Sequence, residues 1–221
     1  MRLLLALAVA TCGVVIAPST PAAAVPGFCP PICDSIPDSA WIATSALPLD
    51  SVYHWPGLAG IAVRAPAPRF TFEEICVSPP VLGDARDYAV ASQATVLNPP
   101  GQWQLRAQVI HWRGATAEFG PTATQSLELA RTRLRNCQAT APLASPAITT
   151  SDPFRLAAVI SVPGQKVVHQ YLLAHPSSST IVELAMWTTL PPLVRWPAVP
   201  DAQIFDAMGA PLCDAYLGSC R

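Results

Sequence analysis

Charge is scarce in this sequence. Only 12% of its 221 residues are Asp, Glu, Lys or Arg, and the formal net charge is −1. A single lysine, Lys166, stands among 13 basic residues. So balanced a chain has no electrostatic footprint for nucleic acid or for an anionic lipid surface. Catalytic signatures are also missing. No Gly-x-Ser-x-Gly occurs, which argues against a nucleophile elbow and the α/β-hydrolase esterases built on one. No His-Glu-x-x-His, P-loop or Gly-x-Gly-x-x-Gly occurs either, and no cofactor is implied. The four histidines, His54, His111, His169 and His175, are scattered. A Ser–His–Asp triad would have to be assembled in space from distant residues. Beyond residue 24 no apolar run approaches the roughly 20 residues that span a membrane.

What is present begins with an export signal. Arg2 precedes a short apolar run over residues 3–17, and Ala22-Ala23-Ala24 supplies small residues for cleavage before Val25. Cys12 raises the alternative of a lipid-anchored start, but Thr11 before it is a poor fit to that site, so the reading favours simple secretion. The expected location is extracellular, secreted or within the cell envelope. Removing Cys12 with the signal leaves six of the seven cysteines. An even count in an exported chain reads as three disulfides, with 15 possible pairings. Zinc is the alternative, and no Cys-x2-Cys or nearby His spacing supports it, so no metal site is expected. Residues 25–69 are rich in proline and read as an irregular arm with one short helix over 50–54. Trp41, Tyr53 and Trp55 would pack that arm down. A carbohydrate-stacking role is the alternative for these rings. The domain plan is therefore a signal peptide (1–24), an arm (25–69) and a main domain (70–221).

The stretch over 87–137 organises that domain. Residues 87–97 (DYAVASQATVL) alternate as a half-buried strand, with Tyr88, Val90, Ala94 and Val96 on one face. Asn98-Pro99-Pro100-Gly101 forces a turn. Residues 102–113 place Trp103, Leu105, Ala107 and Val109 on one side and Gln104, Arg106 and Gln108 on the other. After Val109 the parity slips, which predicts either a bulge or a strand end covered on both faces. Residues 114–120 break the pattern. A helix follows over 122–137, started by Pro121, with Leu127, Ala130, Leu134 and Cys137 on one stripe. Arg131, Arg133 and Arg135 read as a solvated face, with a basic docking patch as the alternative. Glu128 is placed to pair with Arg131.

Three further strands are expected, over 154–162, 166–174 and 180–188, joined by local turns. Asp201 is placed to N-cap a helix carrying Ile204, Phe205 and Met208, which Gly209 and Pro211 should interrupt. The sum is an α+β fold: an antiparallel β-sheet flanked by helices, with a proline-rich N-terminal arm.

This order of elements resembles the extracellular sensor domain of the mycobacterial PknH-type Ser/Thr kinases, a domain also found in small secreted actinobacterial proteins. The features that carry the resemblance are Cys76 ahead of a strand pair, the helix ending in RTRLRNC at Cys137, the strand runs KVVHQYLLA and TIVELAMW, and a closing helix near Pro200-Asp201. It covers roughly residues 70–216. The resemblance implies a Cys76–Cys137 disulfide, a helix-flanked antiparallel sheet and a cleft for an unknown ligand. The sequence departs from the family in lacking a disulfide within 167–187, and it carries no kinase domain, so any signalling would run through a separate partner. Cys29, Cys33, Cys213 and Cys220 remain. Cys213 and Cys220 would lie about 10 Å apart along a continuous helix, beyond disulfide reach. Pro30 and Pro31 stiffen the loop between Cys29 and Cys33. Cross-pairing of the arm with the C-terminus is the resulting expectation, and local pairing stays open because Gly218 could end the helix.

Three functional classes follow. The resemblance implies a non-catalytic extracellular ligand-binding or sensor-like module for a small molecule or an envelope component. The proline-rich arm and exposed aromatics fit a structural or interaction protein of the envelope. A hydrolase with a cryptic triad is the third. For the first class the candidate ligand residues are Arg106, Gln108, His169 and Tyr171, expected to face one another across a cleft. The alternative for His169 and Tyr171 is a hydrogen-bonded pair on an apolar sheet face.

Overall fold

The computed structural model describes residues 35–216 and residue 219. The expected export signal over residues 1–24 and the expected pairings of Cys29, Cys33 and Cys220 lie outside these. In chain order the elements are α1 (Asp50–Tyr53), α2 (Leu58–Ile61), β1 (Val63–Arg64), α3 (Thr71–Ile75), β2 (Val90–Val96), β3 (Gln104–His111), α4 (Thr116–Arg135), α5 (Cys137–Thr140), β4 (Ser145–Ser151), β5 (Arg155–Val162), β6 (Lys166–His175), β7 (Thr180–Thr189) and α6 (Asp201–Ala215). The strands form one seven-stranded sheet in the order β1-β2-β3-β7-β6-β5-β4. Every neighbouring pair is antiparallel. The chain is α+β.

Alternate residues of a strand point to opposite faces, so the sheet divides the core in two. On one face Leu105, Val109, Leu184 and Met186 pack with Ile204, Phe205, Met208 and Leu212 of α6. Trp41, Trp55 and Leu58 of the proline-rich segment join the same core. On the other face Ile110, Ile160, Leu172 and Ile181 pack with Leu127, Ala130 and Leu134 of α4 and with Phe70 and Phe72 around α3. Each such buried Leu, Ile or Phe stabilises the fold by about 1.5–3 kcal/mol. The parity slip after Val109 now has its cause. The β2–β3 register runs without a break from Val90↔His111 to Val96↔Leu105, so there is no bulge there. Ile110 and Trp112 belong to the second core while Val109 belongs to the first. The strand end is covered on both faces.

The described part of the arm is tied into the first core. Its short helix, α1, sits where the sequence places it. Trp41 and Trp55 are buried, and the Trp55 indole donates to the Pro48 carbonyl at 2.9 Å.

Several boundaries differ from the pattern-based expectation. Helix α4 starts at Thr116, with Gly120 and Pro121 inside it. Gly120 is needed by packing: a Cβ there would lie 2.5 Å from the Pro176 carbonyl oxygen. A glycine that reads as a helix breaker is the point where α4 closes on the turn before β7. Helix α6 runs through Gly209 and Pro211 because its buried stripe continues to Leu212 and Ala215. Asp201 is its first residue, and Pro200 takes the N-cap position. Strand β4 has no hydrophobic alternation to announce it. It is a largely exposed edge strand of Ser, Thr, Ala and Pro, with a register shift between Ile148 and Thr150. Such composition suits an edge, where it discourages pairing with other chains.

Cys76 and Cys137 form a disulfide across 61 residues of sequence, with Cα atoms 4.8 Å apart. It joins the end of α3 to the start of α5. In the chain-entropy account a closed loop of this length stabilises the fold by about 4 kcal/mol. Cys213 is also disulfide-bonded. Its partner lies outside the described residues.

The two helical glycines should respond oppositely to alanine. Gly209→Ala meets only Leu173 Cδ2 at 3.4 Å, so helix propensity should prevail and raise stability by up to about 1 kcal/mol. Gly120→Ala drives a Cβ into backbone and should lower stability by about 2 kcal/mol or more. Urea unfolding of the two variants measures both. Equal stabilisation by the two would contradict the close approach at Gly120.

Candidate functional site

Sheet parity decides the fate of the four candidate ligand residues. Gln108 pairs with Glu183, and Arg106 with Ala185, on the face covered by α3 and α4. His169 pairs with Met186, and Tyr171 with Leu184, on the face covered by α6. The sheet therefore separates Arg106 and Gln108 from His169 and Tyr171, and the four do not share a cleft.

His169 is stacked on Trp196, with ring centroids 3.8 Å apart and planes 10° from parallel. Trp103 closes on the same imidazole at 5.6 Å. Burial pushes the His169 pKa down to about 4, with the Asp201 carboxylate opposing the shift. The ring is a neutral member of an aromatic cluster. Tyr171 is buried, meets Phe205 edge-on at 5.8 Å, and lies near the Asp201 carboxylate. Burial, with that carboxylate beside it, raises the phenol's pKa. Both rings therefore lie on the α6 face, His169 against Trp103 and Trp196 and Tyr171 against Phe205, rather than opposite Arg106 and Gln108.

On the opposite face the dominant group is Glu183, fully buried on the central strand β7. Its Oε1 accepts the Thr71 backbone N–H at 2.5 Å and the Gln170 amide at 3.0 Å. Its Oε2 accepts the Gln108 amide at 3.3 Å. The Gln170 carbonyl oxygen in turn accepts the Phe72 N–H at 3.2 Å. Two orphan donors at the start of α3 are thus satisfied from the sheet. Burial raises the Glu183 pKa, opposed by these hydrogen bonds and by Arg106. Glu183 was not among the expected site residues. Its signal is that it is the only charge in the run TIVELAMWT, and a lone charge in a strand buried on both faces must find partners.

An ionic cluster lies beside it. Arg86, 2% exposed, holds Glu73 through two contacts of 2.7 and 3.0 Å. It holds Asp84 through contacts of 3.0 and 2.7 Å. Burial alone would raise the Asp84 carboxyl, but the hydrogen bonds and charge of Arg86 hold it below the ordinary range. Arg133 also pairs with Glu73, and Arg131 pairs with Glu128. The arginines of α4 are therefore not a uniformly solvated face: Arg131 is buried, Arg133 is half-buried, and Arg135 is exposed.

The larger concavities lie elsewhere. One cleft of about 520 Å³ opens between α6, the start of β5 and the end of β6, lined by Phe154, Arg155, Leu173, His175, Phe205 and Gly209 among others. A second, of about 570 Å³, lies between α4 and the β4–β5 turn. Arg106 lines a small cavity of about 170 Å³ with Thr71, Lys166 and Trp187.

A Ser–His contact bears on the hydrolase alternative. His175 Nδ1 lies 2.8 Å from Ser178 Oγ. The same hydroxyl lies 3.2 Å from the His175 carbonyl, and Ser178 is 2% exposed. The pair closes a 3-10 turn over Pro176–Ser178. A nucleophile must be reachable by substrate, and this hydroxyl is enclosed by its own turn. Among the described residues no group of His, Cys, Asp or Glu is arranged to hold a metal. No described helix is long and apolar enough to cross a membrane. No family model, curated protein or solved structure matches the chain.

The raised Glu183 pKa fixes a sign. A carboxyl whose folded pKa stands above its unfolded value keeps a proton in the native state that the unfolded chain has released. Its contribution therefore falls as pH rises from about 4.5 toward the raised pKa. Glu183→Gln, which keeps an acceptor for Thr71 and Gln170, should remove that part of the pH slope in urea unfolding. Glu183→Ala should lower stability by about 3 kcal/mol or more, because it strands three buried donors. An unchanged slope in Glu183→Gln would contradict the assignment.

Proposed function

We propose that this protein is a secreted, non-catalytic binding module of the PknH-like sensor kind, and that it holds a small molecule in the cleft beside α6. The cleft is the observation that carries the reading. Its volume of about 520 Å³ falls in the range of roughly 300–1,000 Å³ typical of small-ligand sites. Its walls are largely apolar, from Phe154, Leu173 and Phe205, and Arg155 and His175 supply polar groups at the margin. Burial holds the His175 imidazole below its ordinary pKa, so it presents a neutral ring. Phe154 is 48% exposed, a large side chain left to solvent where a ligand could cover it. The Cys76–Cys137 bond supports an oxidising compartment. The enclosed Ser178 hydroxyl supports a role without turnover.

A second reading, a binding partner for an envelope component, has one observation in its favour. Val77, Val81 and Leu82 in the loop after α3 are 65%, 40% and 103% exposed. Such an apolar loop is unusual on a surface that touches only water.

Native mass spectrometry of the protein recovered from its own secretion medium tests the first reading. The expected result is a non-covalent small-molecule adduct that is lost in Gly209→Leu, whose side chain would grow into the cleft. Recovery of the bare mass alone, or an adduct indifferent to Gly209→Leu, would overturn the assignment of the cleft.

A further inference from the structure

The single lysine of the chain sits beside a strand arginine. Lys166, Arg106 and Trp187 line one small cavity with Thr71, Glu74 and Ile75. The first three come from neighbouring strands, β6, β3 and β7, with β7 between the other two. Trp187 pairs with Gln104 on β3 and with Val168 on β6, so Arg106 and Lys166, each two positions further along, share its face of the sheet. The cavity measures about 170 Å³. That is below the roughly 300 Å³ at which drug-sized ligands fit, and well above what one water molecule needs. It shares no residue with the cleft beside α6, which lies on the other face.

Donors outnumber acceptors on its walls. Arg106 Nη1 donates to Glu74 Oε1 at 3.0 Å. Arg106 Nη2, Lys166 Nζ and the Trp187 indole N–H have no partner among the described residues. None of these three atoms is sealed from solvent, unlike Arg106 Nε and Thr71 Oγ1, which are buried and take no part. Glu74 is the one carboxylate among the lining residues, and its side chain is 62% exposed. Two cations against one carboxylate leave a positive charge uncompensated. The Arg106 guanidinium is held in place, against Glu74 and 6.0 Å from the Trp187 ring centroid. A fixed guanidinium and a mobile ammonium on either side of an indole suit an oxyanion, which accepts several charge-assisted hydrogen bonds at once.

We propose that this cavity binds a small oxyanion, a phosphate, a sulfate or a carboxylate, between Lys166 Nζ and Arg106 Nη2. Glu74 competes with that ion for Arg106, and its turning out to water frees Nη1 as a further donor. The site does not rest on the cleft beside α6, and either can fail without the other.

NMR of the nitrogen-15-labelled protein at fixed ionic strength tests this, with sodium phosphate, sulfate, acetate and chloride as probes. At least one of the three oxyanions should move the Trp187 indole signal, assigned with Trp187→Phe, along a saturable curve, and chloride should not. Lys166→Gln should weaken that binding about tenfold, the loss of one charge-assisted hydrogen bond. Glu74→Gln should tighten it about threefold, because a competing carboxylate is gone. A damaged fold does not produce such a gain. The order of the probes identifies the ion: acetate tightest assigns a carboxylate, and phosphate or sulfate tightest assigns a tetrahedral ion. Shifts that rise without saturating, that chloride reproduces, or that persist unweakened in Lys166→Gln would overturn the site. Weaker binding in Glu74→Gln would overturn it as well, since the carboxylate would then support the bound ion instead of competing with it.

Discussion

The buried Glu183 carboxyl group on the middle strand holds the five-residue helix α3 in place, and much of one face depends on it. Glu183 accepts from the Thr71 N–H, and Gln170 accepts from the Phe72 N–H. An isolated helix this short has no stability of its own in water. Its other end is fixed by Cys76, bonded to Cys137 at the end of the α4 stripe. Between these anchors Glu73 accepts from the Phe70 N–H at 2.8 Å and meets Arg86 and Arg133. The sheet, α3 and α4 are thus joined by the Glu183 carboxyl group, a disulfide and an ionic cluster whose charges are those of Glu73, Asp84, Arg86 and Arg133. Burying these charges is costly unless every one is partnered. Partnering is nearly complete here, with Gln108 Oε1 and Thr71 Oγ1 among the buried atoms left over.

Parts of this were readable from residue order. Five strands and the buried stripe of α4 follow from periodicity alone, because they bury apolar surface at periods of two and 3.6. Leu127, Ala130, Leu134 and Cys137 are all at or below 1% exposure. Where local chemistry and tertiary contact disagree, the pattern misleads. Gly120 and Gly209 read as breaks, yet both lie inside helices, one for close approach and one carried by the stripe around it. β4 has no apolar period because an edge strand buries little. Helix α3 is too short to show a period, and its stability comes from Glu183, 112 positions away.

The candidate ligand residues show the same limit. His169 and Tyr171 share a face, as alternation requires, and so do Arg106 and Gln108. Which face of β3 matches which face of β6 is decided by the register through β7, which no single strand reveals. The clefts draw on the β4–β5 turn, α4 and α6, elements brought together only by the fold.

Hydrogen exchange at the Thr71 and Phe72 amides is the most direct measure of the Glu183 anchor. If Glu183 and Gln170 hold these two groups as described, both should exchange only through global unfolding, as slowly as the amides of β6 and β7. Exchange as fast as that of the exposed loop over residues 79–83 would show that α3 opens independently, and the anchoring account would be wrong.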